Sequence, residues 1–202
     1  MLLGEADAVR AHAGDATEAE ARLLAGLRER RPEACAELYE RASPGILRFA
    51  ISRLGDVGTA EDVVVETMAD AVRDLQRFNP RRSSLATWVL GIARRRVNLE
   101  IRRLKRRKSV PESAQVPPES VLEVSDGSDL AASAADRLDA RRKVAALRSL
   151  LSDAEMEVLV LSCVEELSAR EIGQVIGRSE RAVHSILHRA KAKARERLVG
   201  DE

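Results

Sequence analysis

Aromatic side chains are almost missing from this chain, with one Trp, one Tyr and two Phe in 202 residues. Leu, Val, Ile and Ala must therefore fill whatever core it has. No apolar run approaches the roughly 18–20 residues of a membrane span. The opening MLLGEADAVRAHAGDATEAE is acidic and has no basic stretch followed by an apolar one, so a signal peptide is not expected there. Two cysteines are too few for a disulfide framework. Cys35 and Cys163 lie in apolar helical patterns and are expected to be buried free thiols in a reducing cytoplasm. A glycine-rich phosphate loop, a nucleophile motif and a paired metal-ligand cluster are all lacking, so the chain reads as a non-enzyme without a cofactor. A large excess of positive charge is lacking too: Lys+Arg 34 against Asp+Glu 33. Holding duplex DNA by bulk electrostatics alone would need more, so local distribution matters more than the total.

That distribution is uneven. Between Arg94 and Lys108 there are nine basic residues against Glu100 alone. From Ser109 to Asp136 there is no Lys or Arg, while Glu112, Glu119, Glu123, Asp126, Asp129 and Asp136 are acidic and Pro111, Pro117, Pro118 and Gly127 interrupt the chain. This stretch reads as an acidic flexible linker without a core. The expected architecture is all-α, with two small helical domains, the C-terminal one a helix-turn-helix. An extension (1–16), a helical domain (17–108), the linker (109–135) and a second helical domain (136–202) make up the chain. No stretch alternates with period two over a useful length, so strands are not expected.

In the first domain, Thr17-Glu18-Ala19-Glu20 is a possible capping box for a helix towards Arg30. Pro32 suits the first turn of a second helix running to about Leu54. Gly55 and Gly58 break the chain, Thr59-Ala60-Glu61-Asp62 starts a third helix that ends near Phe78-Asn79-Pro80, and Ser84 is placed to cap a fourth. On the third helix, Val64, Met68, Val72 and Leu75 form an inward stripe, with Asp62, Glu66, Asp70 and Arg73 on another face. In the second domain Ser152-Asp153-Ala154-Glu155 and Ser168-Ala169-Arg170-Glu171 are capping boxes. Gly177-Arg178-Ser179 is a short turn, and a last helix begins at Glu180. A capped short helix, a turn with glycine and a longer helix form the helix-turn-helix pattern, whose second helix enters the major groove. Val183, Ile186, Leu187 and Ala190 are expected to face inward. Arg181, His184, Ser185, His188 and Arg189 are left on the outer arc beside Ser179 of the turn, with Lys191, Lys193 and Arg195 extending the charge. Arginine suits guanine, and serine or histidine suits bases or phosphates. A generic helical hairpin with a solvated basic face is the blander reading. His184 and His188 stand four apart, but without a third ligand or an intervening catalytic Glu a metal is not expected.

At this point the sequence resembles a known family. LSDAEMEVLVLSCVEELSAREIGQVIGRSERAVHSILHRAKAKARERL is similar to region 4 of bacterial RNA polymerase sigma factors, which reads the upstream promoter element. TAEDVVVETMADAVRDLQRFNPRRSSLATWVLGIARRRVNLEIRRLKRR resembles region 2, which holds core polymerase and melts the downstream element. Nothing resembling the intervening third region appears, which points to the extracytoplasmic-function (ECF) group. The resemblance implies that Asp62, Val65, Glu66 and Ala69 face the clamp region of core polymerase, although Val65 stands where the family typically has glutamine. It implies that the loop with Asn79, Arg81, Arg82 and Ser83 captures an unstacked base, and that Arg95, Arg96, Arg102 and Arg103 contact phosphates. Leu99 stands where aspartate is common and Arg95 where asparagine is frequent. Ala182 and Ile186 replace threonine and arginine, so the upstream base preference is expected to be unusual. Core polymerase, promoter DNA and an anti-sigma factor are the implied partners.

The 28 residues from Ser109 to Asp136 span about 90 Å fully extended but average only about 30 Å when relaxed, while the two promoter elements lie roughly 70 Å apart. Weak promoter binding by the isolated protein and tight binding in the holoenzyme are therefore expected. Two other readings compete: a helix-turn-helix regulator that binds palindromic DNA as a dimer without polymerase, and a helical interaction protein whose basic tracts only solubilise it.

Overall fold

The computed structural model describes residues 18–108 and 134–199, with side chains over 18–107 and 142–196. Eight α-helices and one 3-10 turn make up these residues, and no strand occurs among them. Thr17, the N-terminal extension and most of the acidic linker lie outside them.

Helix α1 covers residues 18–28 and buries Leu23, Leu24 and Leu27. Helix α2 is Pro32–Leu54, with proline in its first turn and Gly55 closing it. Helix α3 is Val57–Arg73. It starts two residues earlier than the Thr59 motif suggests, because the Asp56 carboxylate accepts from the Thr59 amide at 2.8 Å and serves as the cap. A 3-10 turn at Leu75–Arg77 then leads to Phe78. Helix α4 is Leu85–Lys108. Ser84 caps it, its hydroxyl accepting from the Thr87 amide at 3.2 Å. A second cap arrives from far away in the chain: Glu20 on α1 accepts from the Leu85 amide at 2.6 Å. Glu20 thus places a carboxylate at the positive end of α4, while the capping box expected at Thr17 falls outside the described residues.

Helices α1 to α4 enclose Phe49, Ile46, Val63, Val89, Ile92 and Val97, all essentially buried. The inward face of α3 is centred on Ala60, Val63, Val64, Thr67 and Ala71. Met68 is only half-buried and lines, with Cys35, Tyr39 and Val72, an open apolar groove between α2 and α3. Trp88 packs against Phe78 with ring centroids 5.4 Å apart and is held partly in the core.

Helix α5 is Ala134–Leu150, α6 is Asp153–Cys163, α7 is Ala169–Ile176 and α8 is Glu180–Val199. Both expected capping boxes are formed, Ser152 with Glu155 and Ser168 with Glu171. Val158, Leu161, Ile172 and Val183 are the fully buried heart of this unit. Cys35 is half-buried, whereas Cys163, the last residue of α6, is exposed; both thiols are free. The apolar patterning around Cys163 belongs to Val160 and Leu161 on the other side of its helix.

The two units are packed together. Helix α4 lies against α7 and α2 against α6, and their buried side chains form one continuous apolar cluster.

Candidate nucleic-acid interface

Helix α7, its turn and α8 are held by local geometry. Gly177 ends α7 in the left-handed conformation (φ 68°), which a side chain would disfavour. Gly173 lets the turn fold back closely, since a Cβ there would sit 2.6 Å from the Arg178 carbonyl oxygen. Ser179 caps α8, its hydroxyl accepting from the Ala182 amide at 3.3 Å. Val183, Leu187 and Ala190 are buried and Ile186 is half-buried, as their spacing requires. Arg181, His184, Ser185, His188, Arg189 and Lys191 are exposed along one side. Within that arc Arg189 donates to the Ser185 hydroxyl at 3.0 Å, and His184 lies 3.8 Å from Glu180.

Lys193 does not extend the arc. Its ammonium donates to both Glu155 oxygens, at 3.0 and 2.8 Å, and ties α8 to the start of α6. The Lys193 hydrogen bond, with the Ser152 amide, pulls the Glu155 carboxyl down to about 2. The other box carboxylate, Glu171, is held below its ordinary value by the Ser168 hydroxyl and amide.

In the first unit the loop before α4 is shaped by Asn79, whose side chain accepts from the Arg81 amide at 2.9 Å and whose carbonyl accepts from the Arg82 amide at 3.0 Å. Arg81 and Arg82 are exposed and Ser83 is half-buried. Arg95, Arg102 and Arg103 are exposed on α4, Arg103 pairing with Glu100 at 2.8 Å. Arg96 is turned towards α3 instead. Its guanidinium donates to Asp70 at 2.6 Å and to Glu66 at 2.8 Å. Asp70 is buried rather than part of a solvated acidic face. Burial alone would raise its carboxyl, but Arg96 and Arg73 hold it below its ordinary value. Asp62, Val65 and Ala69 remain exposed on α3, Val65 at 63%, and Glu66 is exposed while bonded to Arg96.

Sequence reasoning passed over Arg94, Asn98 and Glu157, which meet where the units touch. The available signal was α6 itself, where Glu155 and Glu157 alternate with Met156 and Val158 in a helix of 11 residues that holds no Lys or Arg. Two carboxylates in such a helix require cationic partners. Among the described residues no cluster of His, Cys, Asp or Glu is arranged to hold a metal ion, and no helix is long and apolar enough to cross a membrane.

Comparison with known proteins follows the same division. Residues 38–107 match sigma-70 region 2 and residues 141–193 match sigma-70 region 4. The chain is similar to the ECF RNA polymerase sigma factor SigC of Mycobacterium tuberculosis, with 31% identity over 156 residues, 77% of this chain and 76% of that protein. It is also similar to the ECF RNA polymerase sigma factor BldN of Streptomyces coelicolor, with 28% identity over 178 residues; these cover 84% of this chain but only 62% of BldN. Among solved structures, CnrH in complex with the cytosolic domain of CnrY shares its fold with a TM-score of 0.66 at 24% identity, covering 89% of this chain and 97% of CnrH. The sigma factor RpoE in complex with the anti-sigma factor NepR, from Bartonella quintana, does so with a TM-score of 0.62 at 23% identity, covering 83% and 97%.

Proposed function

Because the chain belongs to the ECF group of bacterial RNA polymerase sigma factors, we propose that it joins core polymerase, reads a two-part promoter and helps open the DNA at the downstream part. A sigma factor is a transcription initiation factor and not an enzyme, so the chemistry belongs to the polymerase. The observation that carries the reading is the presence, in one chain, of an exposed polar arc on a helix-turn-helix and a separate exposed basic surface on α4 and its preceding loop.

On α8, Arg181, His184, Ser185, His188, Arg189 and Lys191 are assigned to the upstream element. Arg181 near the helix start is the guanine-reading candidate, and Lys191 further along is a phosphate contact. Ser179 acts first as the cap that aims this helix. Asn79, Arg81, Arg82 and Ser83 are assigned to an unstacked base of the downstream element, where positive charge and polar groups offset an extrusion cost of a few kcal/mol. Arg95, Arg102 and Arg103 are assigned to backbone phosphates. Arg96 joins them only by leaving Glu66 and Asp70. Asp62, Val65, Glu66 and Ala69 are assigned to core polymerase. An anti-sigma factor is a further proposed partner, since the structurally similar RpoE occurs bound to the anti-sigma factor NepR.

The test is in vitro transcription with bacterial core polymerase on a library of promoter fragments, with and without this protein. New transcripts starting at a fixed distance from a shared two-part motif are expected. If core polymerase gains no initiation while the protein alone shifts a palindromic fragment, the reading is wrong and a dimeric regulator replaces it.

A further inference from the structure

One stretch of the basic helix is already filled by an anion. Glu157, near the middle of α6, accepts from Arg94 Nε at 2.9 Å and Nη2 at 3.2 Å, and from Asn98 Nδ2 at 3.2 Å. Its side chain is only 7% exposed. Three ion pairs between the units share one polarity, although Arg148 of the second unit also reaches Gly55 of the first. Arg94–Glu157, Lys105–Asp153 and Arg48–Glu165 all place the cation on the first unit and the carboxylate on the second. Arg53 is buried in the same neighbourhood, its Nε without a hydrogen-bond partner. Burial lowers its pKa, and Glu157 and Asp153 oppose that effect. Beside the Arg94 pair, a cavity of about 280 Å³ separates Ser83, Trp88, Gly91 and Arg95 from Gln174 and Gly177 of the helix-turn-helix.

A guanidinium fork donating to both oxygens of an anion, with an amide N–H alongside, suits a phosphodiester as well as a carboxylate. We propose that Arg94 and Asn98 form a binding site for one backbone phosphate of DNA, and that Glu157 occupies it as an internal stand-in for that phosphate in the free protein. The inference rests on the reading of α4 as a DNA-facing helix. The two units must then part before the first can take its DNA, because Glu157 of α6 sits on Arg94 and Asn98 and α7 packs against the same helix. Parting exchanges one anion for another at Arg94, so the guanidinium stays paired in both states while Glu157 regains water. Sequence-specific contacts are not needed for this site, since phosphate contacts position without specifying.

The experiment is equilibrium binding of the full chain to a fluorescent duplex of about 30 base pairs and arbitrary sequence, by anisotropy over a range of salt. Wild type, Glu157→Gln, Arg94→Gln and the double variant are compared, with circular dichroism to establish folding. Glu157→Gln is expected to bind about tenfold more tightly, the worth of one charge-assisted contact, with a salt slope steeper by about one. Adding Arg94→Gln is expected to remove the gain. A folded Glu157→Gln with unchanged affinity overturns the proposal. So does a gain that survives in the double variant, which would make Glu157 a general repellent rather than the occupant of this site. Should Glu157→Gln not fold, Asp153→Asn weakens the same interface from its exposed edge and must raise affinity; no gain there is equally fatal. Initiation by wild type with core polymerase tests the promoter reading separately. Its failure would leave a binding gain standing, and an unresponsive Glu157→Gln would leave promoter reading untouched.

Discussion

Replacing Glu155 by glutamine keeps the side chain's shape and removes its charge. In the native protein this carboxylate is 7% exposed and is bound by Lys193 of α8 and by the Ser152 amide. These contacts bring its carboxyl from an ordinary 4.5 to about 2. A displacement of that size contributes at most ~3 kcal/mol to folding at neutral pH. Lys193 is 43% exposed, and solvent screening reduces the contribution to roughly 1.5 kcal/mol. Because the folded-state pKa is depressed, the contribution is complete above the ordinary value of 4.5 and is lost as pH falls towards about 2. Urea denaturation followed by far-UV circular dichroism, at neutral pH and at a series of acid pH values, checks this. Glu155→Gln is expected to be less stable by roughly 1.5 kcal/mol at neutral pH, with the difference shrinking to near zero at the acid end. A difference that stays constant across the series would show that the side chain acts through shape or capping alone, and the electrostatic account of the α6–α8 junction would fall.

Gly173→Ala forces a Cβ to 2.6 Å from a backbone oxygen that no rotamer change can move. A loss of about 1–3 kcal/mol is expected by thermal or chemical melting, together with weaker upstream-element binding as the angle between α7 and α8 changes. Arg181→Ala is expected to weaken binding of the upstream element by about ten- to a hundredfold and to relax the preference at one base pair, measured on single-base variants of the selected promoter. Asp62→Lys reverses an exposed charge on α3; loss of polymerase association in a pull-down is expected, with the melting curve shifted by less than about 0.5 kcal/mol. Retained association would remove Asp62 from the polymerase surface.

The parts of the fold that were legible are those written in three or four consecutive positions. Ser152 with Glu155, Ser168 with Glu171, and Pro32 at the head of α2 follow from local donors and fixed dihedrals, and the structure forms them where the sequence places them. The same locality makes the exposed arc of α8 readable, since Val183, Leu187 and Ala190 define which side is inward. What was not legible depends on residues far apart. Nothing local to Glu20 announces that its carboxylate accepts from an amide 65 positions away. Asp70 has the spacing of a surface carboxylate, and the approach of Arg96 across 26 positions, beside Arg73 of its own helix, makes its burial tolerable. Asp56 outcompetes Thr59 as a cap because its carboxylate reaches both the Thr59 amide and hydroxyl, at 2.8 and 2.6 Å. Glu157 has no cationic partner on its own helix. Its partners stand on the other unit, and a division into two independent domains gives no reason to look there.

The bond from Glu20 to the head of α4 bears on how this protein can be cut. Similarity to region 2 begins at residue 38, inside α2, and a fragment drawn to that boundary would keep the rest of α2 together with α3 and α4. It would lack Leu23, Leu24 and Leu27 from its core and would leave the Leu85 amide without its carboxylate, next to the loop assigned to the unpaired base. Homology and autonomy therefore part company at the N-terminal edge. The smallest piece that resembles the family is shorter than the smallest piece that carries its own support, and a protease or partner that strips α1 from the surface of α2 would disturb the head of α4 without touching any residue proposed to meet DNA.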